Sequence, residues 1–150
     1  MRVVLQRVSE ASVTIEKTIV ANINQGLVIL LGIESEDTQD DVSWLVAKVS
    51  KLRIFSDENG LMNKSVKDVN GDIILVSQFT LFASTKKGNR PGFTRSAKPV
   101  TAIPLYQSFI KQLESDLEKS IQTGEFGADM KIALVNDGPV TITIDSKNKE

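Results

Sequence analysis

The chain contains neither cysteine nor histidine. Together these absences remove the thiol nucleophile, the side chain that titrates near neutral pH, and the usual nitrogen and sulfur ligands of zinc. A hydrolase built from this sequence must rely on hydroxyls, carboxylates, lysines, main-chain amides or a group carried by its substrate. Carboxylates alone could hold magnesium or calcium, but no loop of the D-x-[DN]-x-[DN]-G kind occurs, and the expectation is no metal and no cofactor. Neither G-x-G-x-x-G nor G-x-x-x-x-G-K-[ST] is found, so dinucleotide and nucleoside triphosphate chemistry lack support. Long hydrophobic runs are missing too. The longest, Leu27 to Ile33, falls far short of the ~20 residues of a membrane span, and Met1 to Ile15 carries Arg2 and Arg7 without an apolar block. A cytoplasmic protein with no membrane partner is the default, and the lack of cysteine permits a reducing compartment.

What is present describes an ordinary globular chain. Its 150 residues are 41% hydrophobic and 25% charged, enough for one domain that buries roughly two-thirds of its unfolded surface. Short β-branched stretches at Val3–Leu5, Val13–Ile15, Ile19–Ala21 and Leu27–Ile33 predict four strands. The continuous apolar run of the fourth suits a central strand covered on both faces. Val42, Leu45, Val46, Val49 and Leu52 keep helical spacing after Thr38, with Asp40 and Asp41 at the start and Lys48 and Lys51 at the end. A strand at Ile73–Val76 follows the loop signals Asp57-Glu58-Asn59-Gly60 and Asn70-Gly71, and runs into Ser77-Gln78-Phe79-Thr80. A second helix reads from Pro104 through Ile121 to a stop near Thr123-Gly124. Two last strands, Lys131–Val135 and Val140–Ile144, flank a turn at Asn136-Asp137-Gly138-Pro139, and Ser146–Glu150 reads as a frayed tail. This order argues for one α/β domain with a mixed, mostly antiparallel sheet or partial barrel and two main helices, and against a doubly wound parallel sheet.

Three segments could carry chemistry. From Lys86 to Lys98 there are five cations (Lys86, Lys87, Arg90, Arg95 and Lys98) and no acid, in a chain whose formal net charge is −1. Such a loop suits phosphate contacts, although charge alone fits a solvated loop equally well. Ser77, Gln78 and Thr80 put hydroxyls and an amide at the end of an apolar strand, where sites commonly sit. The plain alternative is local backbone bonding by the hydroxyls, with Phe79 and Phe82 in the core. Gly138-Pro139 reads as a hairpin turn, with the proline isomer left open.

Taken together, Ser77-Gln78-Phe79-Thr80-Leu81, Gly88-Asn89-Arg90-Pro91 with Phe93, Thr123-Gly124, Phe126-Gly127-Ala128-Asp129-Met130 and Asn136-Asp137-Gly138-Pro139-Val140-Thr141 resemble the signatures of the D-aminoacyl-tRNA deacylases. Met1-Arg2, Leu5-Gln6-Arg7-Val8 and Gln25-Gly26-Leu27 are similar to that family as well, so the resemblance spans nearly the whole chain. Gly92 departs from it, standing where a serine is usual. The resemblance implies a homodimer that hydrolyses the ester between a D-amino acid and the 3′ end of tRNA, a proofreading step from which achiral glycine would not escape. It implies catalytic positions at Ser77, Gln78, Phe79 and Thr80, and a cross-subunit Gly-cisPro chiral gate at Gly138 and Pro139. Arg7 would support that gate. Lys86, Lys87, Arg90 and Arg95 are the expected tRNA contacts. An aminoacyl ester is already activated, so N–H groups near Phe79 and Thr80 could form an oxyanion hole while the substrate's 2′-hydroxyl assists proton transfer. Thr80 as nucleophile ranks second, having no obvious base beside it. The competing class is a nucleic-acid-binding module without turnover, which would have no need of a chiral gate.

Overall fold

In the computed structural model, which describes residues 1–150, the apolar run forms strand β3 (Gly26–Gly32), flanked on both sides. On one side it pairs antiparallel with β1 (Arg2–Ile15), on the other parallel with β6 (Asp72–Ser77). Alternation divides its side chains between two cores. Leu27, Ile29 and Leu31 join a cluster under the helices, whereas Val28 enters a second cluster inside the curled sheet with Val8, Val13, Ala21, Ile74 and Val76. A strand apolar on both faces is the physical consequence of that double burial.

The sheet order is β2-β1-β3-β6-β7, with β2 at Thr18–Ile23 and β7 at Gln122–Thr123. Gln122 nearly closes it into a barrel: its side-chain amide donates to the Asn22 carbonyl at 2.6 Å and accepts from the Asn22 N–H at 2.7 Å. Helix α1 (Gln39–Lys51) packs with α2 (Pro99–Leu117) over one face, burying Leu45, Val49, Phe109 and Leu113. A small hairpin, β4 (Phe55–Ser56) with β5 (Met62–Lys64), lies apart from the main sheet. The mixed, mostly antiparallel partial barrel with two helices is thus as the sequence led one to expect. No helix is long and apolar enough to cross a membrane.

Several details differ. Val3–Leu5 and Val13–Ile15 belong to one strand, β1, because neither glycine nor proline interrupts the residues between them. Helix α2 starts at Pro99, five residues before Pro104, with the first bonds running from Thr101 and Ala102 N–H to the Lys98 carbonyl at 2.9 Å each. It ends at Leu117, where Glu118 turns left-handed at φ 54°. Ile121 keeps helical spacing from Leu117 but reaches the core from extended chain.

The two last strands are one strand, β8 (Lys131–Asp145), antiparallel to β1 along nearly its whole length. Asn136–Pro139 is therefore a bulge and not a hairpin turn. Between the pairs Gln6 with Thr141 and Val8 with Asn136, Arg7 alone faces residues 137–140. A bulge tolerates the missing N–H of Pro139 as readily as a turn does, so residue type did not separate the two. The expected fraying also fails at Ser146, which is buried: its N–H donates to the Met1 carbonyl at 2.9 Å and its hydroxyl to Asp41 at 2.6 Å.

Candidate active site

The parallel pair β3 and β6 ends beside a pocket of about 310 Å³. Ser77, Gln78 and Phe79 form one wall, Phe126 to Met130 another, and Ala97, just before α2, and Ala102, within it, also line the pocket. Asp129 is the one ionisable side chain in the lining, and it pairs with Lys131 at 2.8 Å. Nothing else in the pocket can act as a proton acceptor near neutral pH.

The wall at Ser77–Phe79 is set by the way β6 stops. The Gln78 N–H donates to the Leu31 carbonyl at 2.7 Å, continuing the β3 pairing by one residue, and the chain then tightens into a 3₁₀ turn at Phe79–Phe82. Gly32 permits the close passage: a Cβ there would lie 3.0 Å from Leu81 Cβ and 3.1 Å from the Gln78 carbonyl oxygen. The first N–H groups of such a turn, those of Phe79 and Thr80, have no acceptor within it. The Ser96 hydroxyl holds the Phe79 carbonyl at 2.9 Å, leaving the ring at the mouth, 56% exposed and edge-on to Phe93 at 5.1 Å. Phe82 is core as expected of a phenylalanine here, but Phe79 is not. The Thr80 hydroxyl accepts a hydrogen bond from the Gln78 side-chain amide, and no base adjoins it. Tyr106, which donates to the Leu75 carbonyl beneath the site, has its phenol pushed up to about 12 by burial and stays neutral.

Gly138 and Pro139 lie on the exposed surface of β8 and do not line this pocket. Their peptide bond is cis and Gly138 has φ 130°. Arg7 reaches the bulge from β1: Nε donates to the Asp137 carbonyl at 2.9 Å and Nη1 to the Ile54 carbonyl at 2.5 Å, with the Asp137 carboxylate 3.5 Å away. It is a buried side chain, not the surface arginine its residue type ordinarily suggests.

The basic segment divides. Ser84 and Gly92 exchange main-chain bonds of 2.8 and 2.9 Å, closing a loop whose exposed tip carries Lys86, Lys87 and Arg90, none in an ion pair. Arg95 is placed otherwise. Its guanidinium bonds Glu34 at 2.8 Å and stands 5.3 Å from the centre of the Phe82 ring, fastening the segment to the 3₁₀ turn. The wall from Phe126 to Met130 was visible in the sequence only as a motif. Its part in the pocket follows from the chain running from β7 back across the open end of the sheet into β8.

The D-Tyr-tRNA(Tyr) deacylase family pattern matches residues 4–145. Over all 150 residues, covering 100% of both chains, the sequence is 65% identical to a D-aminoacyl-tRNA deacylase of Flavobacterium psychrophilum and 59% identical to one of Bacteroides fragilis. A solved structure titled c-Myc DNA Unwinding Element Binding Protein superposes with a TM-score of 0.90 at 42% identity, covering 97% of this chain and 98% of that one. Another, of a probable eukaryotic D-amino acid tRNA deacylase, shares the fold at 16% identity with a TM-score of 0.83, covering 95% and 97%. By the length and identity of these matches, the chain belongs to the D-Tyr-tRNA(Tyr) deacylase family.

Proposed function

We propose that this protein hydrolyses the ester joining a D-amino acid to the 3′ end of tRNA, releasing the free amino acid and uncharged tRNA. Beside family membership, one observation carries the reading: a mostly apolar pocket whose single carboxylate, Asp129, is held in an ion pair with Lys131, and which is bordered at Phe79 by the start of a tight turn. That arrangement suits an activated ester and little else. The N–H groups of Phe79 and Thr80 stabilise the oxyanion as water adds to the carbonyl, and the 3′-oxygen leaves with a proton passed by the neighbouring 2′-hydroxyl of the substrate. Gln78 and Ser77 position the ester. Thr80 is not the nucleophile in this scheme, because the Gln78 amide donates to its hydroxyl oxygen and no base takes its proton.

Chirality is read by Gly138-Pro139 of a second subunit. In one chain this dipeptide is exposed and outside the pocket, so it serves a site only when two chains associate symmetrically. Its main-chain carbonyls then block the side-chain position of an L-amino acid, while a D-amino acid or glycine is admitted. Lys86, Lys87 and Arg90 hold tRNA phosphates, and Arg95 stabilises the turn that carries Phe79.

The test is deacylation of D-tyrosyl-, L-tyrosyl- and glycyl-tRNA. Loss of the D-amino acid and of glycine, with the L-ester spared, is the expected result; equal rates for both tyrosyl isomers would defeat the chiral gate. The solved relative named for DNA binding favours a second reading, nucleic-acid binding without turnover. Absence of hydrolysis on all three esters would select it.

A further inference from the structure

The end of helix α1 gathers cations that ester hydrolysis does not use. Lys48, Lys51 and Arg53 line, with Trp44, Ala47 and Leu52, a shallow hollow of about 430 Å³ without an acid in it. None of the three makes an ion pair, and neither does Lys149. The Lys149 ammonium stands 4.7 Å from the centre of the Trp44 ring and that of Lys48 5.5 Å from it, so cations from helix α1 and from the last residues of the chain meet at one indole. Lysines in the last turn of a helix offset its dipole. That accounts for Lys48 and Lys51 but places neither Arg53, beyond the helix, nor Lys149, nor the aromatic ring between them.

A second observation ties the hollow to the catalytic turn. Trp44, Lys48 and Leu52 also line a larger groove of about 720 Å³ that passes Arg2 and Ile144 and reaches Leu81, the residue after Thr80. Of the acids along it, Asp145 is neutralised by Arg2 at 2.7 Å, leaving Glu150, which accepts a hydrogen bond from the Asn148 side chain at 3.1 Å. A polyanion lying over Trp44 can therefore follow this surface to the turn whose Phe79 borders the pocket.

We propose that the hollow around Trp44 seats phosphodiester groups of the tRNA body while the aminoacylated 3′ end occupies the pocket. The occupant is RNA backbone, because unpaired lysines and an arginine around a half-buried indole complement a run of phosphates and sugars, whereas an apolar partner would leave four cations desolvated. This rests on the deacylase reading and adds to it a contact surface remote from the ester.

Lys48→Glu, Lys51→Glu and Lys149→Glu combined test it, with the Gln substitutions as a milder set and circular dichroism to verify folding. Binding of uncharged tRNA is measured directly at several salt concentrations, beside hydrolysis of D-tyrosyl-tRNA and of D-tyrosyl-adenosine, which lacks the tRNA body. Affinity for tRNA should fall roughly tenfold at low salt, with a shallower dependence on salt, while D-tyrosyl-adenosine is hydrolysed as before. Unchanged tRNA affinity, or equal losses on both esters, would overturn the proposal. So would an altered sedimentation coefficient with tRNA affinity intact, since the face would then join two copies of the chain. Wild-type protein that binds tRNA through these lysines and hydrolyses neither ester would defeat the deacylase reading and leave this surface standing.

Discussion

The Arg7 guanidinium spans from the Asp137 carbonyl to the Ile54 carbonyl, and its Nη2 lies 2.8 Å from where a Cβ on Gly138 would stand. One buried side chain thereby holds the bulge of β8 in place and limits what residue 138 can be. Replacing Arg7 by Met keeps much of the volume but leaves two carbonyls without their donor, at a cost of roughly 1–3 kcal/mol. The melting temperature should drop by roughly 2–4 °C for each kcal/mol lost. Discrimination between D- and L-tyrosyl-tRNA should fall further than the rate on the D-ester. Unchanged discrimination in a destabilised variant would reduce Arg7 to a purely structural role.

Gly138→Ala meets both the guanidinium and Val140, whose Cγ2 would lie 3.0 Å from the new Cβ, at a φ of 130° that side chains rarely adopt. The expected penalty is roughly 1–3 kcal/mol, measured by chemical denaturation, with loss of L-ester rejection. Mixed with Ser77→Phe, which fills the pocket, this variant should recover D-specific activity through heterodimers holding one intact site. Verified heterodimers without recovery would mean that each chain completes its own pocket.

Thr80→Ala removes the hydroxyl bonded by Gln78 and leaves the turn's N–H groups in place. Single-turnover rates on D-tyrosyl-tRNA should stay within roughly tenfold of wild type, whereas a covalent route would lose several orders of magnitude. A trapped acyl ester on Thr80 would reverse this assignment.

Alanine at Lys86, Lys87 and Arg90 should raise KM for tRNA esters while kcat holds, because phosphate contacts bind substrate and transition state alike. The log–log dependence of affinity on salt should flatten by roughly 0.7–0.9 per lost contact. A KM unaltered across salt concentrations would return the loop to a merely solvated role.

Acid should destabilise the fold through Asp41. Burial works to raise its pKa, but bonds from Lys147 at 2.8 Å, the Ser146 hydroxyl at 2.6 Å and the Thr38 N–H at 2.8 Å prevail and hold the carboxyl well below the usual range. A depressed folded-state pKa contributes stability that is present above the unfolded value, about 3.9, and is lost as pH falls toward the folded one. Asp41→Asn should be less stable at pH 7, and its stability should fall less steeply than wild type below pH 4 in urea titrations.

Composition, periodicity and motif order are properties of neighbouring residues, and they were enough to read the helix at Val42–Leu52, the doubly covered strand at Leu27, the class of the fold and the family resemblance. Identical local preferences left other features undecided. Gly138-Pro139 satisfies a turn and a bulge alike, and only the long antiparallel pairing of β8 with β1 chooses the bulge. Arginine favours the surface by residue type, yet two carbonyls 47 and 130 residues away make a buried place for Arg7. Phe79 and Phe82 share a motif and an apolar character; the 3₁₀ turn sends one into the core and the other to the pocket mouth. In each case burial and hydrogen bonding are set by segments distant in sequence, whose positions no local preference encodes.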